Sequence, residues 1–449
     1  MKKLIFSLAL IFCAAILAAA EYTLELKVNR PDGVFKAGET AVFTCQVLAD
    51  GKPAEGIEVR YFCSADNQKT TRGKFVSGKL WTKEVSLNYP GWVRLGFSIH
   101  GKDGKMMKIT TSSWRRKVLT DAVGVGALFS PEKLVSVYPE PADFDQFWAG
   151  VRKELDAVPV KAKRVPVKLT GSLADKVVCY DVKVDCAGGK PVSGYLSMPK
   201  NAKPKSCPAI LYYDGAGVRT AGKDLARASF GCITFNVNAH GIENGKTRAY
   251  YDKLKKEYYL PKGKVGYPHW GKEDRNSFYF KGMYMRVMRS LDYVKTLPEW
   301  DGKHIIVQGG SQGGAQVFAA CALDKDITYA VAGVPAMSDH AGCLAKRDSG
   351  WPRLYRAGKD GKPADPAVAA AAAYYDNVYF AKRIKCPINV NTGLFDRTCV
   401  PTSVLAAYNN IPQTTQKWLT IVPDGAHGAH HKPGMARREA YLKSILQKR

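Results

Sequence analysis

The chain has 449 residues, of which 46% are hydrophobic and 24% charged; this is the profile of a folded globular protein, too long for one ordinary domain. Its formal net charge of +27 favours polyanionic partners or serves solubility alone. No zinc-finger spacing, RNP motif or basic leucine zipper is present, so nucleic acid is not an expected partner. The eleven cysteines include no Cys-x-x-Cys pair, which excludes a zinc-ribbon or dithiol redox signature.

Residues 1–20 read as a cleavable export signal. Lys2 and Lys3 form a basic start, residues 4–17 are apolar except Ser7, and Ala18, Ala19 and Ala20 offer a small-residue cleavage site before Glu21. The run is at the short limit for a bilayer span and no basic flank follows it, so cleavage rather than anchoring is expected. Cys13 lies mid-run and not in a lipoprotein box. No later stretch is apolar enough to span a membrane. The expectation is an exported protein, periplasmic or extracellular. Export permits disulfides; Cys45 and Cys63 could bridge, or could be free buried thiols.

Residues 21–115 carry short alternating stretches at 22–28, 41–47, 57–62 and 92–99. Turn signals separate them at Pro31-Asp32-Gly33, Asp50-Gly51, Pro90-Gly91 and Asp103-Gly104. This predicts an all-β sandwich, immunoglobulin-like, acting as a spacer or a carbohydrate binder. Residues 116–130 read as a connector.

From 131 to 449 the pattern is α/β. A helix is predicted from Asp143 to about Leu155. Strands are predicted at 177–184, 191–198, 209–213, 232–237, 305–308, 329–334, 388–393 and 418–422. Helices are predicted at 278–296, 315–323 and 439–446. Strands alternating with helices imply a mostly parallel sheet covered on both faces, the α/β-hydrolase type of fold.

The segment Gly309-Gly310-Ser311-Gln312-Gly313 lies between a predicted strand and a predicted helix, the context of a nucleophile elbow. No Gly-Lys-Ser/Thr follows, so it is not a phosphate loop. A serine hydroxyl needs a base to become a nucleophile. Asp396 and His427 follow in the order Ser, acid, His, each just after a strand. Asp424 shares a loop with His427 and is read as shaping the turn. The oxyanion hole should use the N–H of Gln312 and that of Ala216, in the loop after 209–213, with Gly215 and Gly217 as near alternatives. His427, His430 and His431 lack the glutamate of a His-Glu-x-x-His site, so no metal is expected.

At these residues the chain resembles the acetyl xylan esterase and cephalosporin C deacetylase family, carbohydrate esterase family seven, over about 128–449. The resemblance rests on Asp143-Phe144-Asp145-Gln146-Phe147-Trp148, Tyr213-Asp214-Gly215-Ala216 and Asp274-Arg275. It continues through Gly310-Ser311-Gln312-Gly313-Gly314, Val334-Pro335, the run Gly393-Leu394-Phe395-Asp396, and His427. It implies a serine esterase that deacetylates decorated sugars without a cofactor. Ser311, Asp396 and His427 would be its triad, and Ala216 with Gln312 its oxyanion donors. The chain departs from the family pattern in three places. Asn238-Ala239-His240-Gly241 stands where an Arg-Gly-Gln-Gly motif is usual, Gly428 stands where a Glu is usual, and Ala216 where a Tyr is frequent.

Substrate contacts are assigned to Tyr213, His240, Tyr267 and Trp270. The last two lie in an insertion from Gly245 to Lys272, which also holds Tyr250, Tyr251, Tyr258, Tyr259 and the lysines 253, 255, 256, 262 and 264. Such a segment either docks an acidic glycan or packs its aromatics as a lid with solvated lysines. The partner expected is an acetylated carbohydrate. The competing readings are an exported peptidase of the prolyl-oligopeptidase type, whose propeller residues 22–115 are too few to build, and a non-catalytic glycan binder. Oligomeric state is left open.

Overall fold

In the computed structural model, which describes residues 20–66, 68–110, 118–119, 122–261, 265–428 and 432–447, the alternating N-terminal stretches pair into two main sheets. In chain order the strands are β1 (Tyr22–Val28), β2 (Val34–Phe35), β3 (Thr40–Ala49), β4 (Lys52–Pro53), β5 (Glu58–Ala65), β6 (Thr71–Val76), β7 (Trp81–Ser86) and β8 (Gly91–His100). They are followed by β9 (Ile109–Thr110), β10 (Val118–Leu119) and β11 (Val123–Phe129). One sheet has β3 paired with β1, β4 and β7; the other runs β2-β11-β8-β5-β6, and β9 with β10 make a small ribbon. The inward residues Phe43, Val47, Val59, Leu95, Phe97, Val125 and Phe129 share one core. Cys45 and Cys63 lie there as free thiols, and burial pushes the Cys45 thiol up to about 12. The residues predicted to be a connector include β11, which pairs antiparallel with β8 from Val123–Phe97 to Phe129–Gly91. Two glycines, Gly124 and Gly126, hid this strand, because glycine is depleted in strands.

Residues 131–447 form the second body. Its strands are β12 (Ala162–Pro166), β13 (Val177–Val184), β14 (Val192–Pro199), β15 (Cys207–Tyr213), β16 (Ile233–Val237), β17 (Trp300–Gly310), β18 (Tyr329–Gly333), β19 (Ile388–Gly393) and β20 (Lys417–Val422). They make one nine-stranded mixed sheet in the order β12-β13-β14-β16-β15-β17-β18-β19-β20. Pairings from β12 to β16 are antiparallel and those from β16 to β20 parallel. The helices are α1 (Phe144–Asp156), α2 (Leu225–Ser229), α3 (Arg248–Tyr258), α4 (Tyr279–Lys295), α5 (Gln312–Leu323), α6 (Pro366–Ala373), α7 (Asn377–Ala381), α8 (Pro401–Asn409) and α9 (Lys432–Leu446). The last begins earlier than the periodicity suggested, because Pro433 stands near its start, where a missing N–H costs nothing. The central parallel strands are buried on both faces, so they read as apolar runs. Crossover connections place the loops after β15, β17, β19 and β20 at one sheet edge, where ligands of α/β folds bind.

The two bodies meet along β8 and β11. Every residue of β8 is buried: the odd positions from Val93 to Ile99 face the β-core, while Trp92 joins the core of the second body. The indole Nε1 of Trp92 donates to the carbonyl of Leu394, 2.8 Å away, and the N–H of Gly126 donates to that of Pro423 at 2.9 Å. A Cβ on Gly126 would collide with the Leu394 carbonyl, and one on Gly124 with the Phe395 ring. The glycines of β11 therefore make the flat face on which this loop rests.

Residues 1–19 and the pair His430 and His431 lie outside the described residues, as do Lys262 and Lys264. No helix among the described residues is long and apolar enough to cross a membrane.

Candidate active site

Ser311 occupies the turn between β17 and α5 with φ 58° and ψ −123°, a sparsely populated conformation that costs of order 1–3 kcal/mol. Its neighbours hold it there. The Ser311 N–H donates to the Gly333 carbonyl (2.8 Å), and its own carbonyl accepts from Ala315 (3.1 Å) and Ala336 (3.0 Å). Tight packing sets the residue types on either side. A Cβ on Gly309 would strike the Gly313 backbone, and one on Gly313 would strike the Tyr213 carbonyl.

Asp396 follows β19 and is completely buried. Its Oδ1 accepts from the backbone N–H groups of Thr398 (2.7 Å) and Cys399 (3.1 Å). That leaves Oδ2 to accept from His427 Nδ1 at 2.9 Å. His427 follows β20, and its Nε2 lies 3.1 Å from Ser311 Oγ. With Nδ1 donating to the carboxylate, Nε2 is the acceptor for the serine hydroxyl, the tautomer a general base requires. The imidazole side chain is 37% exposed and the carboxylate 0%, so a substrate reaches the base while the acid stays dry.

Gln312 is the first residue of α5, so its N–H points out of a helix N-terminus, where partial positive charge collects. The loop bearing Ala216 lies against the elbow: a Cβ on Gly215 would stand 3.2 Å from the Gly310 carbonyl and 3.9 Å from Ser311 Cβ. Gln316 Nε2 ties this loop down by donating to the Asp214 carbonyl at 2.9 Å, and Arg219 Nη1 donates to the Ala216 carbonyl at 2.9 Å. Sequence reading passed over Gln316. Its signal was an amide four residues after Gln312 on an otherwise apolar helix.

The structure buries three of the four residues assigned to substrate contact. Tyr213 is buried on a two-face-covered strand, with its hydroxyl 3.3 Å from Ser290 Oγ. His240 is fully buried among the rings of Tyr258, Tyr267 and Tyr279, with Nδ1 2.6 Å from the Tyr279 hydroxyl. Burial, reinforced by the charges of Arg286, Lys190 and Arg219, holds its imidazole down to about 3. Tyr267 is fully buried and donates its hydroxyl to Gln312 Oε1. Trp270 alone of the four keeps an exposed face, at 40%. The insertion thus follows its packing alternative: Tyr251, Tyr258 and Tyr267 are buried, while Lys253, Lys255 and Lys256 are solvated.

Asp396, Cys399 and His427 each place one potential metal-ligating atom within 4.8 Å of the others. The Cys399 thiol is fully buried, and burial with the nearby Asp396 charge raises its pKa well above the ordinary thiol value. It would have to give up that proton to ligate a metal, since a metal ligand must be a thiolate. An ion there would also take His427 away from Asp396. The trio fits a proton relay better than a metal site.

Comparison with known proteins gives the family. The acetyl xylan esterase (AXE1) family model matches residues 132–444. The chain is 31% identical over 446 residues to acetyl esterase Axe7A of Xylanibacter ruminicola, covering 95% of this chain and 93% of that protein. Among solved structures, an acetyl xylan esterase from Paenibacillus sp. R4 superposes with a TM-score of 0.57 at 26% identity, covering 71% of this chain and 98% of its own. Acetyl xylan esterase 1 from Thermoanaerobacterium sp. JW/SL YS485 shares the fold, with a TM-score of 0.56 at 23% identity over 70% of this chain and 97% of its own.

Proposed function

The chain belongs to the acetyl xylan esterase family and is a carboxylic ester hydrolase acting on carbohydrate; from that premise we propose that it is an exported serine esterase that removes acetyl groups from acetylated poly- or oligosaccharides. The observation that carries the mechanism is the unbroken line from Ser311 Oγ through His427 to Asp396, with links of 3.1 and 2.9 Å. Ser311 Oγ attacks the acetyl carbonyl while His427 Nε2 takes its proton. The carbonyl electrons move onto oxygen, where the N–H groups of Gln312 and Ala216 receive the charge. Each such donor contributes about 3 kcal/mol in the transition state. The tetrahedral centre collapses, His427 gives its proton to the departing sugar oxygen, which leaves as a hydroxyl, and an acetyl-Ser311 ester is left. Water, deprotonated by His427, then attacks that ester; acetate leaves and the serine regains its proton. Asp396 holds the imidazole orientation and balances its charge throughout.

Three further readings belong to this proposal. Export rests on the composition of residues 1–20; protein recovered outside the cytoplasm should begin at Glu21. The N-terminal two-sheet body is read as an immunoglobulin-like domain and residues 131–449 as the catalytic domain. The small-molecule partner is an acetylated glycan, with no cofactor. The test is acetate release from a panel of acetylated xylans, pectins and other glycans, with p-nitrophenyl acetate and proline peptides as controls. Turnover of p-nitrophenyl acetate with no acetate from any glycan would refute the substrate; cleavage of proline peptides in preference to esters would favour a peptidase.

A further inference from the structure

A cavity of about 530 Å3 opens between the two bodies, within the range of small-ligand sites, roughly 300–1,000 Å3. The charged groups lining it are Asp66, Lys69 and Arg94 from the β-domain and Lys346, Arg347 and Asp348 from the catalytic domain. Arg94 is the unusual member. It is only 9% exposed, and among the described residues its Nε and Nη1 have no hydrogen-bond partner. Buried guanidinium groups are normally paired, because desolvation of a cation is costly without an acceptor.

The surroundings give Arg94 position without neutralising it. Its guanidinium carbon lies 5.3 Å from the ring centres of both Phe62 and Trp92. The positive charges of Arg397 and Arg353 act on it, opposed by those of Asp348 and Asp66. The nearby carboxylates act on Arg94 through their charge but make no hydrogen bond to it among the described residues. Asp66 accepts from the N–H groups of Trp92 (2.9 Å) and Asp348 (3.4 Å), and no ion pair joins Arg94 to Asp66 or Asp348 among the described residues. Arg347, by contrast, pairs with a carboxylate: its Nη2 donates to Asp339 Oδ2 and to the Val135 carbonyl, each at 2.8 Å. Burial pushes Asp66 up to about 7, which further reduces the negative charge in the cleft.

We propose that this interdomain cleft is a carboxylate subsite that takes the uronic acid branch of an acetylated acidic glycan, with Arg94 as its anchor. The inference rests on the esterase reading above and names its substrate class. A sugar carboxylate supplies the planar, bidentate acceptor that a guanidinium fork fits. Lys69 and Lys346, both exposed at the cavity, attract it, and the Phe62 and Trp92 rings keep the fork from turning away. The cleft also adjoins the reacting centre through covalent continuity. Trp92 holds the Leu394 carbonyl, the Phe62 ring stacks on Phe395 at 6.3 Å, and Asp396 and Arg397 follow directly. In this proposal, a glycan that presents its acetyl group to Ser311 reaches the wall on which Arg94 lies. The acidic-glycan recognition anticipated for the 245–272 insertion belongs instead at this junction.

The test uses the full-length enzyme and reads a ratio: kcat/KM for a uronate-branched acetylated oligosaccharide divided by that for its unbranched counterpart. Arg94→Met keeps the bulk of the stem and should lower this ratio about tenfold, the loss of one charged hydrogen-bonding contact. Because Arg94 is buried, Lys346→Gln and Lys69→Gln at the exposed rim form a second arm. They should lower the ratio severalfold with an unchanged melting temperature. Free glucuronate titrated into the Ser311→Ala protein should bind, and its methyl ester should not. An unchanged ratio in all three variants, or equal binding of glucuronate and its ester, overturns the proposal. If neutral acetylated glycans are also untouched, it is the glycan esterase reading that has failed; if they are turned over with no preference for the branch, only the subsite has failed.

Discussion

Trp92, on a strand of the β-domain, donates its indole N–H to the carbonyl of Leu394 at 2.8 Å, two positions before the buried Asp396 that orients His427. A side chain remote in sequence thus braces the loop on which the proposed catalytic carboxylate stands. Trp92→Phe should leave that carbonyl without its donor, at a cost of about 1–3 kcal/mol. The expected result is a lower melting temperature together with a lower kcat toward every ester tested, read by thermal denaturation and p-nitrophenyl acetate kinetics. A fall in stability with kcat untouched would separate the brace from the chemistry.

Replacement of the proposed nucleophile separates strain from function. Ser311→Ala and Ser311→Gly should both lose at least about 10⁴-fold in kcat. Only the glycine variant relaxes the φ of 58°, so it should unfold at a higher temperature than the alanine variant, by a difference of about 1 kcal/mol. Calorimetry of the two variants side by side gives the comparison.

Tyr267 reaches Gln312, the proposed oxyanion donor. Its hydroxyl donates to Gln312 Oε1, and Gln312 Nε2 is already buried without a partner. Tyr267→Phe would free the amide to reorient beside its own N–H. We expect kcat to fall about tenfold with KM little changed, as for weakened transition-state stabilisation. Steady-state kinetics across pH 6–9 should show the whole profile lowered without displacement.

His240 makes stability depend on pH in a stated direction. Burial holds its folded-state pKa down to about 3, whereas an unfolded histidine titrates near 6.5. Between those values the unfolded chain carries one more proton, so this residue's contribution is present above pH 6.5 and shrinks as pH falls, by about 1.4 kcal/mol per unit. Buried Asp214, Asp339 and Asp376, each pushed up to about 6, pull the other way, since the folded state binds their protons first. The measurement is therefore a difference. Urea unfolding of wild type and His240→Asn at pH 7 and pH 5 should show the wild type losing roughly 2 kcal/mol more than the variant. Equal losses would contradict the assignment.

Much of the catalytic body was legible because its signals are local. The strand before Ser311, the helix after it, and the order of Asp396 and His427 at strand ends all follow from period and motif, and the structure brings these three side chains within hydrogen-bonding distance. The misses share a different cause. Tyr213 and His240 lie at or just after strand ends and Tyr267 in the insertion, and sequence does not tell whether such a side chain turns toward solvent or inward; here Tyr213 turns toward Ser290, and Tyr267 packs on the His240 ring. β11 was lost to Gly124 and Gly126, whose purpose is visible only once the 394–395 loop lies against them. Arg94 looked like an ordinary polar position of an alternating strand, and its burial depends on a surface contributed some 250 residues later, a separation no periodicity records.

That same separation has a temporal side. The sheet carrying Trp92, Gly124 and Gly126 is complete in the growing chain long before Leu394 to His427 are synthesised, and chains generally fold domain by domain from the N-terminus. The β-domain is then a surface already standing when the acid loop arrives, so the last step of maturation is the seating of Asp396 against a finished wall. Catalytic competence appears at the end of folding and not midway through it.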